Sequence, residues 1–294
     1  MDKDEEERLR REVDEALHGT KDQARQAPAG FELAEGTRIG HVVGVLSGKG
    51  GVGKSLVTGI LAVGLARRGA RVGILDADVT GPSIPKMFGL AGERAWATGE
   101  LLEPRESAGG IRIMSANLVL EHDTDPVVWR GPVVSGAIQQ FWGQTNWGEL
   151  DYLLVDMPPG TSDVALTVFQ SLPVEGVVIV SSPQDLVQMV VGKAVNMAAL
   201  MEVPVLGIVE NMAYVTCPDC GRRIWPFGPS RLRATADEYE IEALGQLPLD
   251  PELARMCDEG TFEQELPEGL LPTAVEVVVQ VSEFMDALRS TLNG

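Results

Sequence analysis

A glycine-rich octapeptide constrains the fold of this chain more than any other sequence feature. The run Gly48-Lys49-Gly50-Gly51-Val52-Gly53-Lys54-Ser55 fits the pattern G-x-x-x-x-G-K-S/T and follows an apolar, β-rich run, Val42–Leu46. Glycines permit backbone angles that point successive N–H groups at phosphate oxygens, and a helix N-terminus adds positive potential. Lys54 is placed to reach β- and γ-phosphates, and Ser55 to bind Mg²⁺. The octapeptide therefore predicts a nucleotide-binding loop between a strand and a helix.

Beyond this loop, apolar runs of strand length alternate with segments of helical periodicity. Such alternation is typical of an α/β fold with a doubly wound, mostly parallel sheet that is flanked by helices on both faces. Strands are predicted at Val42–Leu46, Val72–Asp76, Tyr152–Asp156, Val177–Ser181, Val205–Val209 and Ala243–Leu247, and helices at about 54–68, 131–142, 163–171, 184–201, 250–257 and 271–291. Leu101–Glu103 and Ile111–Met114 are expected to form a short hairpin or added strands.

The amino-terminal segment differs in composition from the rest of the chain. Residues 1–36 contain six Lys or Arg, eleven Asp or Glu and little apolar surface. We expect an acidic, flexible tail that serves solubility or docks a partner, followed by a single domain over 37–294.

Charge and cysteine content restrict the partners and the compartment. The 294 residues include 24 Lys or Arg and 43 Asp or Glu, a formal net charge of −19, which repels a phosphate backbone. No apolar run reaches the ~18 residues that a membrane span needs. Three cysteines are too few for a disulfide framework. We therefore expect a cytoplasmic protein that binds neither nucleic acid nor membrane.

Two predicted strands bring carboxylates to the sheet edge that carries the phosphate loop. The strand that ends at Asp76 continues into Asp78, and Tyr152–Asp156 has the form of a Walker B strand. Ligands bind at the carboxyl edge of open α/β sheets, and Mg²⁺ prefers hard, anionic oxygens. We expect Asp156 on the metal side and Asp76 in support of the metal shell, with helix capping as the alternative for both Asp76 and Asp78. The bend Met157–Asp163 is interpreted as a switch that senses the γ-phosphate.

Two cysteines lie close together in the last third of the chain. Cys217-Pro218-Asp219-Cys220 places two thiolates on one tight turn, a spacing suited to a soft metal. A tetrahedral zinc or an iron-sulfur cluster usually takes four ligands, so two copies that meet at a two-fold axis would complete the set. A structural zinc site and a reversible disulfide are the alternatives. The third cysteine, Cys257, is predicted to be a buried apolar residue.

An additional lysine, Lys49, lies too early in the phosphate loop to duplicate Lys54. With this lysine the chain resembles the deviant Walker A branch of P-loop ATPases. The resemblance implies the P-loop NTPase fold, Mg²⁺-dependent ATP hydrolysis and a homodimer in which Lys49 stabilises the transition state at the partner's nucleotide. It also implies that Asp78, in a switch that continues through Val79–Ser83, orients or deprotonates the attacking water.

Two further residues are assigned to adenine by the same resemblance. Asn211 is expected to hydrogen-bond the base, and the loop that begins at Pro248 to pack along it. Both residues follow predicted strands at the expected sheet edge, and helix-capping or turn roles are the alternatives.

The order of these motifs resembles the Mrp/ApbC family of iron-sulfur cluster carrier ATPases. The resemblance spans about residues 37–290. It implies a labile 4Fe-4S cluster that bridges the dimer through both pairs of cysteines, ATP turnover that controls dimer conformation, and delivery to apo iron-sulfur client proteins alongside cluster-assembly scaffolds. It rests on Ser47–Ser55, Asp76–Pro85, Asp156–Asp163 and Asn211-Met212 leading into Cys217-x-x-Cys220, with Phe227-Gly228 downstream.

The expected site residues form three groups. The catalytic residues are Lys49, Lys54 and Asp78. The nucleotide is bound by Gly48, Lys49, Gly50, Gly51, Val52, Gly53, Lys54, Ser55, Leu56, Asn211 and Pro248. Mg²⁺ is held by Ser55, Asp76 and Asp156, and the cluster, or Zn²⁺ as the alternative, by Cys217 and Cys220.

Two other functions use the same ATP-clamped dimer. A spatial regulator similar to MinD or ParA would need a basic membrane- or DNA-binding surface, which the net charge and the acidic segment Ala274–Leu292 disfavour. An electron donor similar to nitrogenase reductase would share the bridging cluster but need a redox partner, and the sequence does not separate it from a carrier.

Overall fold

A largely parallel sheet runs through the centre of the molecule. The computed structural model describes residues 32–78, 81, 83–119, 131–160, 163–183 and 187–292. The strands are β1 (Arg38–Ser47), β2 (Val72–Asp76), β3 (Trp96–Thr98), β4 (Leu101–Glu103), β5 (Arg105–Glu106), β6 (Arg112–Ser115), β7 (Glu149–Asp156), β8 (Gly176–Ser181), β9 (Val205–Thr216), β10 (Arg223–Ile224) and β11 (Ala243–Pro248).

The order of the strands places β1 at the centre. Within the described residues, the main sheet runs β10-β9-β8-β1-β7-β2-β6-β5, and β11 also pairs with β9. All its pairings are parallel except β10 with β9 and β5 with β6. Because β1 is flanked by β7 and β8, the phosphate loop that follows it lies where ligands bind in open α/β sheets.

Helices cover both faces of the sheet. They are α1 (Lys54–Ala66), α2 (Ile84–Met87), α3 (Gly131–Gly143), α4 (Asp163–Ser171), α5 (Val187–Leu200), α6 (Leu232–Glu238), α7 (Pro251–Glu259), α8 (Phe262–Glu265) and α9 (Pro272–Leu292). One apolar core contains residues of α1, α2, α7, α8 and α9, and the other contains residues of α3, α4, α5 and α6.

The central strand shows why the strands are continuously apolar. Successive side chains of a strand point to opposite faces. Val43 and Val45 of β1 belong to one core, whereas Val42 and Leu46 belong to the other. Since both faces are buried, the inner part of the strand, Val42–Leu46, contains no polar residue, in contrast to the alternation of a half-exposed sheet.

The sequence predicted the six main strands and the six main helices correctly. Of the two alternatives for the short strands, Ile111–Met114 forms an added strand of the main sheet, whereas its hairpin with Leu101–Glu103 does not form. Leu101–Glu103 pairs with Trp96–Thr98 in a separate two-stranded sheet, and β6 joins the main sheet parallel to β2. Ile113 and Met114 of β6 are fully buried, one in each core, which requires a place inside the main sheet rather than in an exposed hairpin.

Parts of four predicted segments lie outside the described residues. These are the acidic tail as far as residue 31, positions 79, 80 and 82 of the first switch, positions 161 and 162 of the second, and positions 184–186 of the helix predicted at 184–201. No helix in the described part of the chain is long and apolar enough to cross a membrane.

Candidate nucleotide and metal site

The phosphate loop joins β1 to α1 and depends on glycine at two positions. Gly53 has φ +83°, and a Cβ there would lie 2.1 Å from Nδ2 of Asn211. At Gly48 a Cβ would lie 2.5 Å from the backbone oxygen of Val190. Both approaches are shorter than a carbon atom tolerates, so the loop conformation excludes any larger residue at these positions.

Asp156, at the tip of β7, gathers three side chains of α1. Its Oδ1 accepts hydrogen bonds from Lys54 Nζ at 2.7 Å and from Thr58 Oγ1 at 2.9 Å, and its Oδ2 accepts one from Ser55 Oγ at 2.6 Å. Asp156 and Thr58 are fully buried, and Lys54 is 6% exposed. The sequence therefore brings the predicted Walker A and Walker B groups into direct contact, as parallel pairing of β1 and β7 requires.

Asp76 and Asp78 extend this cluster along β2. Asp76 is in register with Asp156, accepts a hydrogen bond from Ser115 Oγ at 3.0 Å and one from the backbone N–H of Asp78 at 3.2 Å. Burial, followed by the neighbouring Asp156 carboxylate, raises the pKa of Asp76 to about 8. A divalent cation would lower that pKa by supplying positive charge. The Asp78 carboxylate lies 3.6 Å from Lys54 Nζ.

A cavity of about 490 Å³ opens above the phosphate loop. Its lining includes three glycines of the loop, Lys54 and Ser55, together with Asp78, Pro159 and Met212; the three glycines are Gly50, Gly51 and Gly53. Cys257 of α7 also lines it, so this thiol lies at the candidate nucleotide site, and burial raises its pKa to about 11. Within the described chain, neither Asn211 nor Pro248 forms part of this lining.

The bend after β7 is bonded to the strand that precedes the phosphate loop. The backbone N–H of Gly160 donates to the carbonyl of Ser47 at 2.9 Å, and Gly160 has φ +79°. Ser47 Oγ in turn donates to the carbonyl of Lys49 at 2.9 Å. The second predicted switch therefore begins in contact with the loop it is expected to sense.

Asn211 and Pro248 lie at the same edge but differ in their contacts. Asn211 is 1% exposed, and its Nδ2 donates to the carbonyl of Val52 in the phosphate loop at 2.9 Å. Its Oδ1 is buried and has no hydrogen-bond partner within the described residues. Pro248 ends β11 in register with Tyr214, beyond the bulge that separates it from Gln246. The structure thus joins Asn211, but not Pro248, directly to the loop.

The cysteine pair lies on the turn between β9 and β10. The N–H of Cys217 donates to the carbonyl of Arg222, and the N–H of Gly221 donates to the carbonyl of Cys217, both at 2.9 Å. Hydrogen bonds from the backbone of Cys220 and Asp219, with a contribution from the Cys220 side chain, lower the pKa of the Cys217 thiol. All three cysteines of the chain are free, and the turn favours the thiolate form that binds metals.

Exposed apolar and aromatic side chains follow the cysteine turn in the sequence. Ile224, Trp225 and Phe227 are exposed. Trp225 packs edge-on against Tyr214 with ring centroids 5.5 Å apart, and the Arg223 guanidinium lies 4.2 Å from the centre of the Tyr214 ring. A contiguous exposed apolar surface is characteristic of an interaction site.

Comparison with known proteins identifies the family to which this phosphate loop belongs. A family model described as ParA, NUBPL iron-transfer P-loop NTPase, matches residues 38–281. The chain belongs to this family. As a ParA-family P-loop NTPase it is a nucleoside triphosphate hydrolase, which agrees with the loop, the Lys54–Asp156 contact and the parallel sheet.

Individual relatives support the same assignment. An iron-sulfur cluster carrier protein of Clostridium perfringens is 47% identical over 240 residues, 79% of this chain and 84% of that protein. A nucleotide-binding protein of Archaeoglobus fulgidus, solved in complex with ADP, has a TM-score of 0.70 and 46% identity, covering 78% of this chain and 90% of its own. The MinD cell division protein of Aquifex aeolicus, at 19% identity and a TM-score of 0.54 over 84% of this chain and 97% of its own, shares the fold.

Several residues of the site were not singled out from the sequence. Thr58 follows Lys54 by one helical turn, a spacing that could have indicated its contact with Asp156. Ser115, which donates to Asp76, lies one residue beyond the predicted strand Ile111–Met114, and the parallel pairing of that strand with β2 was not predicted. Cys257 was expected to be buried and apolar, and no local pattern indicated that it lines the cavity.

Proposed function

We propose that this chain is an ATP-dependent iron-sulfur cluster carrier that acts as a homodimer. Its cargo is a 4Fe-4S cluster held by Cys217 and Cys220 of both copies, its acceptors are apo-proteins, and cluster-assembly scaffolds are its donors. ATP hydrolysis changes the conformation of the dimer and thereby its affinity for the cargo. The observation that carries the proposal is the cysteine turn, whose N–H groups hydrogen-bond to the Cys217 sulfur and which directly follows β9, the strand whose Asn211 contacts the phosphate loop.

The cargo side of the proposal follows from ligand number. One chain supplies two thiolates on a turn, and the described residues contain no group of three or more His, Cys, Asp or Glu arranged to hold a metal ion. A 4Fe-4S cluster takes four thiolates, which two copies related by a two-fold axis supply. The apolar surface around the turn gives the two copies, or a client, a place to dock. Zinc bound by the same four thiolates is the alternative cargo.

Mg²⁺ suits the oxygen atoms beside Lys54. The hydroxyl of Ser55 and the carboxylate of Asp156 are hard donors 2.6 Å apart, and Asp76 lies next to them in register. We assign Ser55 and Asp156 to the metal and Asp76 to the hydrogen bonding around it. When bound, Mg²⁺ neutralises charge on the phosphates. Gly48–Leu56 then wrap the phosphates with backbone N–H groups, and Lys54 adds a positive charge.

Asp78 and Lys49 are assigned to hydrolysis. Asp78 lines the cavity on the side where its carboxylate lies 3.6 Å from Lys54, and it orients or deprotonates the attacking water. Lys49 is an exposed loop residue and reaches the nucleotide of the partner copy, where it stabilises the charge of the transition state. Dimer formation is therefore a condition for fast hydrolysis.

Asn211 is assigned to the adenine base. Its Nδ2 is committed to Val52, while the buried Oδ1 remains able to accept a hydrogen bond. The exocyclic amino group of adenine is a donor that matches it. Pro248 packs along the base from the neighbouring strand. The relative from Archaeoglobus fulgidus, which binds ADP, supports a nucleotide at this site.

The proposal is tested by delivery of the cluster to an acceptor. The chain is reconstituted anaerobically with iron and sulfide, freed of unbound iron, and mixed with an apo-enzyme that needs a 4Fe-4S cluster, with a chelator present to remove iron in solution. We expect the acceptor to gain activity, and to gain it faster with Mg·ATP. If a double variant, Cys217→Ser with Cys220→Ser, delivers cluster at the wild-type rate, the proposal is wrong.

A further inference from the structure

A buried carboxylate on β9 is bonded to the segment that returns from the cysteine turn. Glu210 is 3% exposed. Its Oε2 accepts hydrogen bonds from Ser230 Oγ at 2.6 Å and from Gln246 Nε2 at 2.7 Å. Gln246 Nε2 also donates to Ser230 Oγ at 2.6 Å, so the three side chains form a closed network. None of them belongs to the nucleotide or cysteine residues described above.

The Ser230 hydroxyl is hydrogen-bonded both to β9 and to the first residue of α6. Its hydroxyl donates to Glu210 and accepts a hydrogen bond from the backbone N–H of Leu232, the first residue of α6, at 3.1 Å. Leu232 is buried in the core that α6 shares with α5. The segment that leaves the cysteine turn is thereby fixed to β9 and to α6 at one point.

Glu210 and Asn211 are neighbours on β9 but contact opposite sides of the sheet. Asn211 donates to Val52 in the phosphate loop, on the α1 side, whereas Glu210 binds Ser230, on the α6 side. This follows from the alternation of side chains along a strand. One dipeptide therefore touches both the candidate nucleotide site and the base of the cysteine segment.

Between this dipeptide and the cysteines, β9 has an irregular backbone. Met212 has φ +57°, a left-handed conformation that is uncommon for a residue with a side chain. The pairing with β11 shifts register at the same place, between Gln246 and Pro248. Met212 also lines the cavity above the phosphate loop. Backbone strain of this kind concentrates at functional sites, where surrounding contacts maintain it.

We propose that Glu210, through Ser230, is a positioning residue that couples the nucleotide site to the cysteine turn. From Glu210 the chain continues along the rest of β9, passes through the cysteine turn and β10, and returns at Ser230, where the Glu210–Ser230 hydrogen bond closes the loop. Because the loop is closed, a conformational change at Asn211 or Met212 shifts the cysteine turn. In an unclosed loop, the intervening residues would rearrange instead. The inference rests on the proposed function, because it concerns communication between its two sites.

The test measures how nucleotide alters the reactivity of the cysteines. Cluster-free protein is alkylated anaerobically with iodoacetamide, with and without a non-hydrolysable ATP analogue and Mg²⁺, and modification of Cys217 and Cys220 is followed by mass spectrometry. In the wild type we expect nucleotide to slow alkylation by about fivefold, the lower end of typical coupling between sites. In Glu210→Ala and Ser230→Ala we expect the ratio to fall to about one while nucleotide affinity is retained.

Two further variants separate coupling from general stability. Glu210→Gln keeps an oxygen that accepts from Ser230, so we expect the wild-type ratio. Ser282→Ala removes another buried serine hydroxyl, which donates to Val278 on α9, and should leave the ratio unchanged while costing a similar hydrogen bond. If Glu210→Ala does not fold, Ser230→Ala still removes the Glu210–Ser230 hydrogen bond. The Glu210 carboxylate then keeps its hydrogen bond from Gln246 Nε2.

The outcomes also separate this inference from the proposed function. A wild-type ratio in Ser230→Ala overturns the coupling role. So does a wild type that binds and delivers cluster but whose cysteines do not respond to nucleotide. Loss of cluster binding in the wild type itself would instead overturn the proposed function.

Discussion

Lys54 Nζ lies 2.7 Å from Oδ1 of Asp156, in a buried ion pair that joins the phosphate loop to the end of β7. Removing one partner of a buried pair typically costs about 3–5 kcal/mol when the other charge is left uncompensated. Because the Asp78 carboxylate also lies 3.6 Å from Lys54 Nζ, we expect Asp156→Asn to lower the free energy of unfolding by less than that, about 1–3 kcal/mol for a lost hydrogen bond to a charged group, and to abolish Mg²⁺-dependent hydrolysis. Urea unfolding and phosphate release measure the two effects.

Asp151→Asn is the matched control for this variant, because it changes an aspartate on the same strand. Asp151 pairs with Arg71 at the surface, where an ion pair contributes less than about 1 kcal/mol. Hydrolysis should be unaffected. Equal losses of stability in the two variants would contradict the role of the buried pair.

Replacing each of the two lysines of the phosphate loop should impair a different step, nucleotide binding for Lys54 and turnover for Lys49. Lys54→Ala removes a charge from the nucleotide's own loop, so we expect binding of ATP to be lost. Lys49→Ala should retain binding but lower turnover by at least about a hundredfold, the size of a transition-state contact. A fluorescent nucleotide measures affinity, and phosphate release measures turnover.

Lys193→Ala provides the control, since Lys193 is an exposed residue of α5. Its affinity and turnover should match the wild type. Normal turnover in Lys49→Ala would remove the reason for assigning this residue to the partner's nucleotide.

Two glycines with similar φ angles allow the cost of a left-handed backbone to be separated from the cost of a steric clash with an added Cβ. Gly53 has φ +83° and Gly69 has φ +89°, but a Cβ at Gly53 meets Asn211 Nδ2 at 2.1 Å, whereas a Cβ at Gly69 meets nothing within 4 Å. Gly69→Ala should cost only the left-handed strain, about 1–2 kcal/mol, with nucleotide binding intact. Gly53→Ala should abolish nucleotide binding. Nucleotide titration and urea unfolding of both variants give the comparison, and retained binding in Gly53→Ala would contradict the close approach.

His41 should make stability depend on pH. Its Nδ1 lies 2.8 Å from Glu175 and its Nε2 lies 3.4 Å from Asp286 of α9, while Arg289 also pairs with Glu175. The hydrogen bond to Glu175 raises the pKa of His41, although burial opposes it. The stabilisation is therefore complete below about pH 6.5, the unfolded value, and is lost as pH rises through the folded pKa.

The variant His41→Gln isolates this contribution. Urea unfolding of wild type and variant, measured from about pH 5.5 to about pH 9, should give a difference in unfolding free energy that is largest at the acid end and shrinks as the histidine loses its proton. A difference that stays constant across this range would show that packing, not charge, accounts for the contribution of His41.

The nucleotide side of the molecule followed closely from the sequence. The phosphate loop, Asp76 and Asp156 each end or follow an apolar run, and parallel pairing brings such strand ends to one edge. Local pattern and global topology agree there. Contacts that depend on residues distant in sequence were not accessible: Ser230 reaches Glu210 only because β9 and α6 fold together.

The short strands show the same limit. Leu101–Glu103 and Ile111–Met114 have strand-like composition, but their partners are decided by burial in two cores. Local strand propensity does not determine which partner a strand pairs with. The left-handed backbone conformation at Met212 could not be predicted from the sequence either, because methionine has no preference for it.

The central claim is that two copies pool their cysteines around one cluster, and the most direct measurement is iron and sulfide per dimer after anaerobic reconstitution, with zinc assayed in the same sample. We expect about four iron and four sulfide per dimer. Neither should remain in Cys217→Ser or Cys220→Ser, whereas Cys257→Ala, which also removes one cysteine, should keep the full content. Iron retained by the Cys217 and Cys220 variants, a full cluster on a monomer, or zinc in place of iron would contradict the claim.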